Sequence, residues 1–418
     1  MNLTKIIQET KLFKKNNLIA NEPKFKHDLN LIKNKNYDFI WQALSRIDFG
    51  SLKIVFPDGS SKEFQGKNFG PNAEMEIKNY DLIDAIITGG DVALGECYMQ
   101  KMWESSNLPE LLTFFTLNSH ALEDFFHARK FQALLLFLKS FFSKNTKRGS
   151  KKNIAAHYDL GNDFYELWLD QSMTYSSALF IDQNDDLQKA QKQKYQNILA
   201  KLTGNSILEI GCGWGGFAEI ASQNNYKVTC LTLSSKQKIY AQNRIRKINA
   251  ENLVEIKLQD YRDEKAVYDN VVSIEMFEAV GQDYWDKYFQ TINNSLKTSG
   301  IAVLQIITID EQVFKDYINR VDFIQKHIFP GGILPAKTTI RDLAKKHNFA
   351  IKSETNFGFD YAKTLLIWLK NFDQNHDRIK ALGFSEEFIR KWRFYLSYCA
   401  AGFSAKRTDV IQFELLKL

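Results

Sequence analysis

Two stretches of this sequence have residue types and spacing that could do chemistry. The first is SILEIGCGWGGFAEIA, beginning at Ser206, where an apolar run passes through a glycine turn into a helical pattern. Gly211 and Gly213 let the backbone turn tightly and approach a ligand that a side chain would displace. Glycines after a strand serve several nucleotide-like cofactors, and spacing separates them. GCGWGG is out of register with GxGxxG, and the next strand ends in Thr232-Leu233-Ser234 with Gln237 beyond it. A nicotinamide ribose would want an acid there. The second stretch is VVSIEMFE, which places Glu278 directly after a buried strand, where an unpaired carboxylate is costly and a functional role is the better expectation. The cysteines, Cys97, Cys212, Cys230 and Cys399, form no CxxC pair. Neither a disulfide framework nor a metal site is expected.

These residues need a scaffold, and the second half supplies the pattern for one. Apolar stretches at 206, 227, 254, 268 and 301 alternate with helical stretches, and two more follow at 349 and 409. That alternation predicts a parallel sheet covered by helices. Before it, SLKIVFPDGSSKEFQG alternates on either side of Pro57-Asp58-Gly59 as a hairpin does. DLIDAIITGG, GECYMQKMWE and LPELLTFFTLN then read as short helices separated by Gly89-Gly90 and Pro109. This predicts an α+β domain over 1–145 with a loosely packed start, and a second domain over 146–418.

With 418 residues and 44% hydrophobic content the chain can bury at least one full core. No apolar run is long enough to cross a bilayer, and the Lys-rich start has no signal-like apolar core, so a cytoplasmic location is expected. The net charge of +6 is concentrated. Residues 129–152 hold eight cations and no acid, more than the whole excess. The same segment puts Phe131, Leu134, Leu135, Leu138 and Phe142 on one helical face. It reads either as a core helix followed by a solvated basic linker, or as an amphipathic element resting on an anionic membrane.

NIAAHYDLGNDFYELWLDQSMTYSSALF at 153–180, the glycine turn with Glu209 before it, IEMFEAVG at 274–281 and IFPGGILP at 328–335 occur in this order. NFGFDYAKTLLIWLKNF at 356–372 and FYLSYCAAGF at 394–403 follow. Together they closely resemble the cyclopropane fatty acid synthase family, which includes the mycolic acid cyclopropane synthases. The resemblance implies a Rossmann-like, seven-stranded class I methyltransferase sheet with a helical lid. The part before it resembles a smaller α+β domain similar to sterol-carrier lipid-binding folds. The implied cofactor is S-adenosylmethionine, and the implied substrate is a double bond in an acyl chain of a membrane phospholipid. An isolated alkene is a poor nucleophile, so it must be aligned with the methyl and kept from water, and aromatic walls suit the resulting cation. By resemblance Tyr175, Ser176, Gly211, Gly213, Thr232, Leu233, Gln237 and Tyr261 contact the cofactor. The protein would sit peripherally on the inner face of the membrane, with a homodimer compatible and no nucleic acid involved. A methyltransferase for RNA or a polar metabolite fits poorly, since residues 310–372 read as an apolar lid.

Family members position a bicarbonate ion as the base that takes a proton from the added methyl. The resemblance places its holders at Glu278, Tyr361, Ser177, Gln305 and Ile307. Ser177 stands at a cysteine position, Gln305 at a histidine position and Ala279 at another histidine position, which puts the ion in question. Neither Ser nor Gln offers the positive charge of an imidazolium. Two outcomes stay open: ring closure, or collapse of the cation to a methyl-branched or methylene chain. A lipid-binding protein without chemistry is the alternative of another class.

Overall fold

The chain around Pro57-Asp58-Gly59 turns as its sequence requires. The computed structural model describes residues 35–122 and 160–418. A helix at Lys35–Leu44 leads to β1 (Phe49–Val55) and β2 (Ser61–Gln65), which pair antiparallel. The Phe56 amide donates to the Ser60 carbonyl to close the turn. β3 (Asn68–Ile77) lies parallel to β1, and the short β4 (Trp103–Glu104) lies antiparallel to β3. The expected break at Gly89-Gly90 exists, but inside one helix, Asp81–Met99, where Gly90 alone leaves helical geometry at φ 62°. Pro109 opens the next helix, Leu108–Leu117, behind an Asn107 cap. Asn118, fully buried, accepts from the amides of Asp48 and Phe49 at 2.9 and 3.0 Å, tying that helix to β1.

The second sheet contains β5 (Ser206–Ile210), β6 (Lys227–Thr232), β7 (Val254–Leu258), β8 (Tyr268–Ile274), β9 (Leu296–Ile309), β10 (Phe349–Asn356) and β11 (Thr408–Lys417). Their order is β10-β11-β9-β8-β5-β6-β7, parallel except for β11. This is the class I methyltransferase arrangement with chain order reversing at β5, so a crevice opens beyond its carboxyl end. The inner strands are apolar throughout because helices cover both faces: β5 and β8 are nearly all buried. β9 begins five residues before the apolar run at Ile301. Its polar start, Lys297-Thr298-Ser299, hides the strand from a hydrophobicity pattern.

The apolar region 310–372 is divided. Its first part, with the helices Glu311–Tyr317 and Phe323–His327, is an insertion after β9. The helix Lys337–Lys346 and β10 belong to the sheet, because Ile340 and Ala344 pack into its core with Phe349. A second helical insertion, Gly358–Gln374, His376–Ala381 and Glu386–Ser404, separates β10 from β11.

Contacts divide the chain into compact units Met1–Gln42 and Ala43–Leu418, and the second contains both sheets. Within it the helix Glu386–Ser404 is a shared support. Arg390 donates to the Tyr98 carbonyl at 2.6 Å and pairs with Glu104 at 2.9 Å, while Phe394 packs on Tyr98 and Phe323. A Cβ on Gly95 would meet Phe323 at 2.4 Å, so the helices close only over a glycine. The expected boundary near residue 145, the first 34 residues and the basic segment 129–152 lie outside the described residues. The four cysteines are free, and among the described residues no helix is long and apolar enough to cross a membrane.

Candidate active site

The turn after β5 is held open from below. The Gly211 and Cys212 amides both donate to the Leu231 carbonyl of β6, at 2.9 and 3.1 Å. Gly211 (φ 84°) and Gly213 (φ 53°) take left-handed backbone that other residues adopt at a cost. A Cβ on Gly213 would meet no protein atom within 4 Å and would stand over the cavity that this residue lines. At the end of β6 the Thr232 hydroxyl donates to Gln237 Oε1 at 3.1 Å and accepts from the Ser234 amide, fixing both polar ends toward the same space. Beyond β7, Arg262 grips Asp260 through Nε and Nη2 at 2.8 and 2.6 Å. Tyr261, between them, is thereby held as a wall against Tyr288.

Beside this turn lies a cluster of buried polar groups. Glu278 Oε1 accepts the Ile307 amide at 2.5 Å, while Oε2 is buried without a partner. Burial, with the charge of Glu275 beside it, pushes Glu278 up to about 8. Glu275 stands at the end of β8 and is the meeting point of the cluster. Its Oε1 accepts the Ser177 amide at 2.8 Å and Gln305 Nε2 at 2.7 Å, and its Oε2 accepts the Tyr361 hydroxyl at 2.6 Å. Gln305 is aimed by a relay in which Asn197 donates to Gln412, and Gln412 donates to Gln305 Oε1. Burial drives Glu275 upward, opposed first by Lys194 and then by these donors. Lys194 is fully buried with Nζ on Ser176 Oγ at 2.5 Å; burial lowers it to about 7, and Glu275 opposes that shift.

One cavity of about 750 Å³ connects these parts. It is lined by the glycine turn, by Glu275, Glu278 and Tyr361, by Phe329, Leu334, Leu365 and Phe403, and by Leu112 and Phe115 of the helix Leu108–Leu117. Aromatic rings surround its middle. The Tyr175 hydroxyl bonds the Tyr395 hydroxyl at 2.7 Å, and the Tyr175 ring sits between Trp168 and Trp368 at 5.3 and 5.5 Å. Tyr361 packs on Phe403 at 4.4 Å.

The match with known proteins follows the same residues. A family profile described as mycolic acid cyclopropane synthetase fits residues 145–413. The chain belongs to this family. It is similar to the cyclopropane-fatty-acyl-phospholipid synthase of Escherichia coli K12, 36% identical over 344 residues, covering 81% of this chain and 87% of that one. It is also similar to the tuberculostearic acid methyltransferase UfaA1 of Mycobacterium tuberculosis, 34% identical over 342 residues, covering 78% and 79%. Among solved structures it resembles the mycolic acid cyclopropane synthase CmaA1 complexed with SAH and CTAB, with a TM-score of 0.60 and 32% identity. That likeness covers 64% of this chain and 98% of the other.

As a member of the cyclopropane synthase family the chain is an S-adenosylmethionine-dependent methyltransferase. Its turn fits that cofactor: Gly213 leaves space where a side chain would intrude, and Thr232, Gln237 and Tyr261 surround that space. Bicarbonate does not fit. The amides of Ser177 and Ile307, the Gln305 Nε2 and the Tyr361 hydroxyl all donate to Glu275 or Glu278, so a free anion would have to displace these carboxylates to reach them.

Of the residues singled out in the sequence, Tyr175, Ser176, Gly211, Gly213, Thr232, Leu233, Gln237, Tyr261, Glu278, Ile307 and Tyr361 line one cavity. Ser177 and Gln305 do not line it; both are fully buried behind Glu275 and reach the site only through it. Glu275, Lys194 and Tyr395 went unrecognised. A signal for Lys194 was present, since it shares a helical face with Leu187, Ala190, Gln191 and Ile198, where a cation interrupts an otherwise buried stripe.

Proposed function

We propose that this protein transfers a methylene group from S-adenosylmethionine to the double bond of an unsaturated acyl chain in a membrane phospholipid, producing a cyclopropane fatty acyl chain. The observation that carries this reading is the single cavity joining the glycine turn to an apolar channel. Phe115, Phe329, Leu334, Leu365 and Phe403 give that channel apolar walls suited to an acyl chain, while Asp91, Arg320, Asp322 and Arg407 also line the cavity.

When bound, the cofactor supplies an electrophilic sulfonium methyl. Gly211, Gly213, Thr232, Leu233, Gln237 and Tyr261 seat it, and the channel walls from Phe329 to Leu334 and at Leu365 hold the acyl chain in line and keep water away. Tyr175, Tyr361, Tyr395 and Phe403 present ring faces to the developing cation. The residues before 122 contribute Leu94, Leu112 and Phe115 to the channel, which supports a lipid-binding role for the N-terminal part. The basic segment 129–152 supports peripheral attachment to the anionic inner face of the membrane.

The test is incubation with S-adenosylmethionine and vesicles of a monounsaturated anionic phospholipid, with the acyl chains read by proton NMR. Upfield cyclopropane protons are expected. Unaltered acyl chains would overturn the reading, and methyl-branched chains without a ring would overturn its product.

A further inference from the structure

Ring closure requires that a proton leave the transferred methyl, and the cavity beside the glycine turn holds an unusual carboxylate. We propose that Glu275 is the proton acceptor of the ring-closing step, a base built into the chain that makes dissolved bicarbonate unnecessary. This rests on the cyclopropanation reading.

Three separate segments, at Ser177, Gln305 and Tyr361, direct donors at this one side chain. They are the positions that the sequence resemblance assigns to holding bicarbonate, so the carboxylate occupies the slot of the anion it replaces. The backbone is set for the purpose at a cost. Glu275 has φ +50°, a left-handed conformation that a non-glycine residue adopts against roughly 1–3 kcal/mol of strain. Its amide is pinned to the Gln305 carbonyl at 2.8 Å. The side chain of the next residue, Met276, lies 2.9 Å from where a Cβ of Gly211 would stand, so Glu275 adjoins the cofactor turn. It lines the same cavity as Tyr361 and Phe403. Lys194, fully buried with its Nζ on Ser176 Oγ, opposes the upward effect of burial on Glu275, where Gln305 offers no charge.

The step balances without any co-reactant. One C–H bond of the transferred methyl breaks, its electron pair forms the second C–C bond to the cationic carbon, and the proton passes to Glu275, which becomes a neutral acid. Gln305 and the Ser177 amide keep donating to the other oxygen, and the proton returns to solvent after product leaves.

The experiment compares the full-length protein with and without added bicarbonate, in buffers stripped of carbon dioxide, on monounsaturated phospholipid vesicles. Ring formation and S-adenosylhomocysteine release are measured separately. Equal ring formation in both buffers is expected, and a rate that collapses on stripping and recovers with bicarbonate would overturn the proposal without any mutation. Glu275→Gln should lower ring formation by about 10²-fold or more, the contribution of a positioned base. Its cofactor affinity by calorimetry should stay near wild type, and ring formation at the wild-type rate by this variant would also overturn the proposal. Glu275→Gly vacates the slot, so ring formation should become bicarbonate-dependent. Wild-type protein that releases no S-adenosylhomocysteine with any unsaturated lipid would instead overturn the underlying function and this proposal with it.

Discussion

Replacing Glu278 by Gln should stabilise the protein at neutral pH, and the size of the effect follows from the site. In the folded protein Glu278 holds its proton up to about pH 8, because it is buried and faces Glu275, against an ordinary value of 4.5. Between those values unfolding releases a proton, so raising the pH favours the unfolded chain. The stabilising contribution is therefore complete below about pH 4.5 and is lost progressively up to about pH 8. Gln is the neutral isostere. Its Oε1 still accepts the Ile307 amide, and its Nε2 falls where the unpartnered Oε2 lies. At pH 7.5 the wild type has lost the equivalent of three pH units at ~1.4 kcal/mol each, a ceiling of about 4 kcal/mol that the variant escapes. Urea unfolding of both proteins without cofactor, at pH 5 and pH 7.5, measures it. The variant should gain on the wild type as pH rises. Parallel stability profiles for the two proteins would refute the assignment of a neutral Glu278. Glu209 and Asp322, each pushed by burial to about 7, slope the wild-type curve in the same direction, so the difference between the proteins is what decides.

Gly213→Ala should fold with a loss of roughly 1–2 kcal/mol from its left-handed backbone, yet bind S-adenosylmethionine at least tenfold more weakly by calorimetry, because its methyl enters the cofactor space. Arg390→Met removes the partner of Glu104 and the donor to the Tyr98 carbonyl, and should cost about 1–3 kcal/mol in urea unfolding; a change within a few tenths would show that the helix Glu386–Ser404 does not anchor the N-terminal sheet. Neutralising Lys144, Lys147, Arg148, Lys151 and Lys152 should weaken sedimentation with anionic vesicles, most visibly at low salt, and unchanged sedimentation would reject the membrane role of that segment.

The sheet was legible because its inner strands are buried on both faces and therefore write continuous apolar runs, and the cofactor turn because only glycine serves there. β9 shows the limit: its first residues are polar and are strand only because Tyr268 pairs with Leu296 across the sheet. Glu275 was illegible for a deeper reason. Its significance lies in donors drawn from residues 177, 305 and 361, and no local pattern reports that they converge. Ser177 and Gln305 were expected from the sequence to hold an anion; in the structure the Ser177 backbone amide and the Gln305 side chain donate to Glu275, and neither residue lines the cavity. Lys194 was readable in principle as a cation within an apolar helical stripe, though its partner was not.

The acyl channel draws its deep wall from residues before 122 and its reactive end from residues after 172. On the proposed function, the walls that meet a lipid tail and the groups that seat the cofactor come from different stretches of the chain. Exchanging Leu112 and Phe115 for bulkier or smaller side chains would retune which tails are accepted while leaving the electrophile's seat untouched.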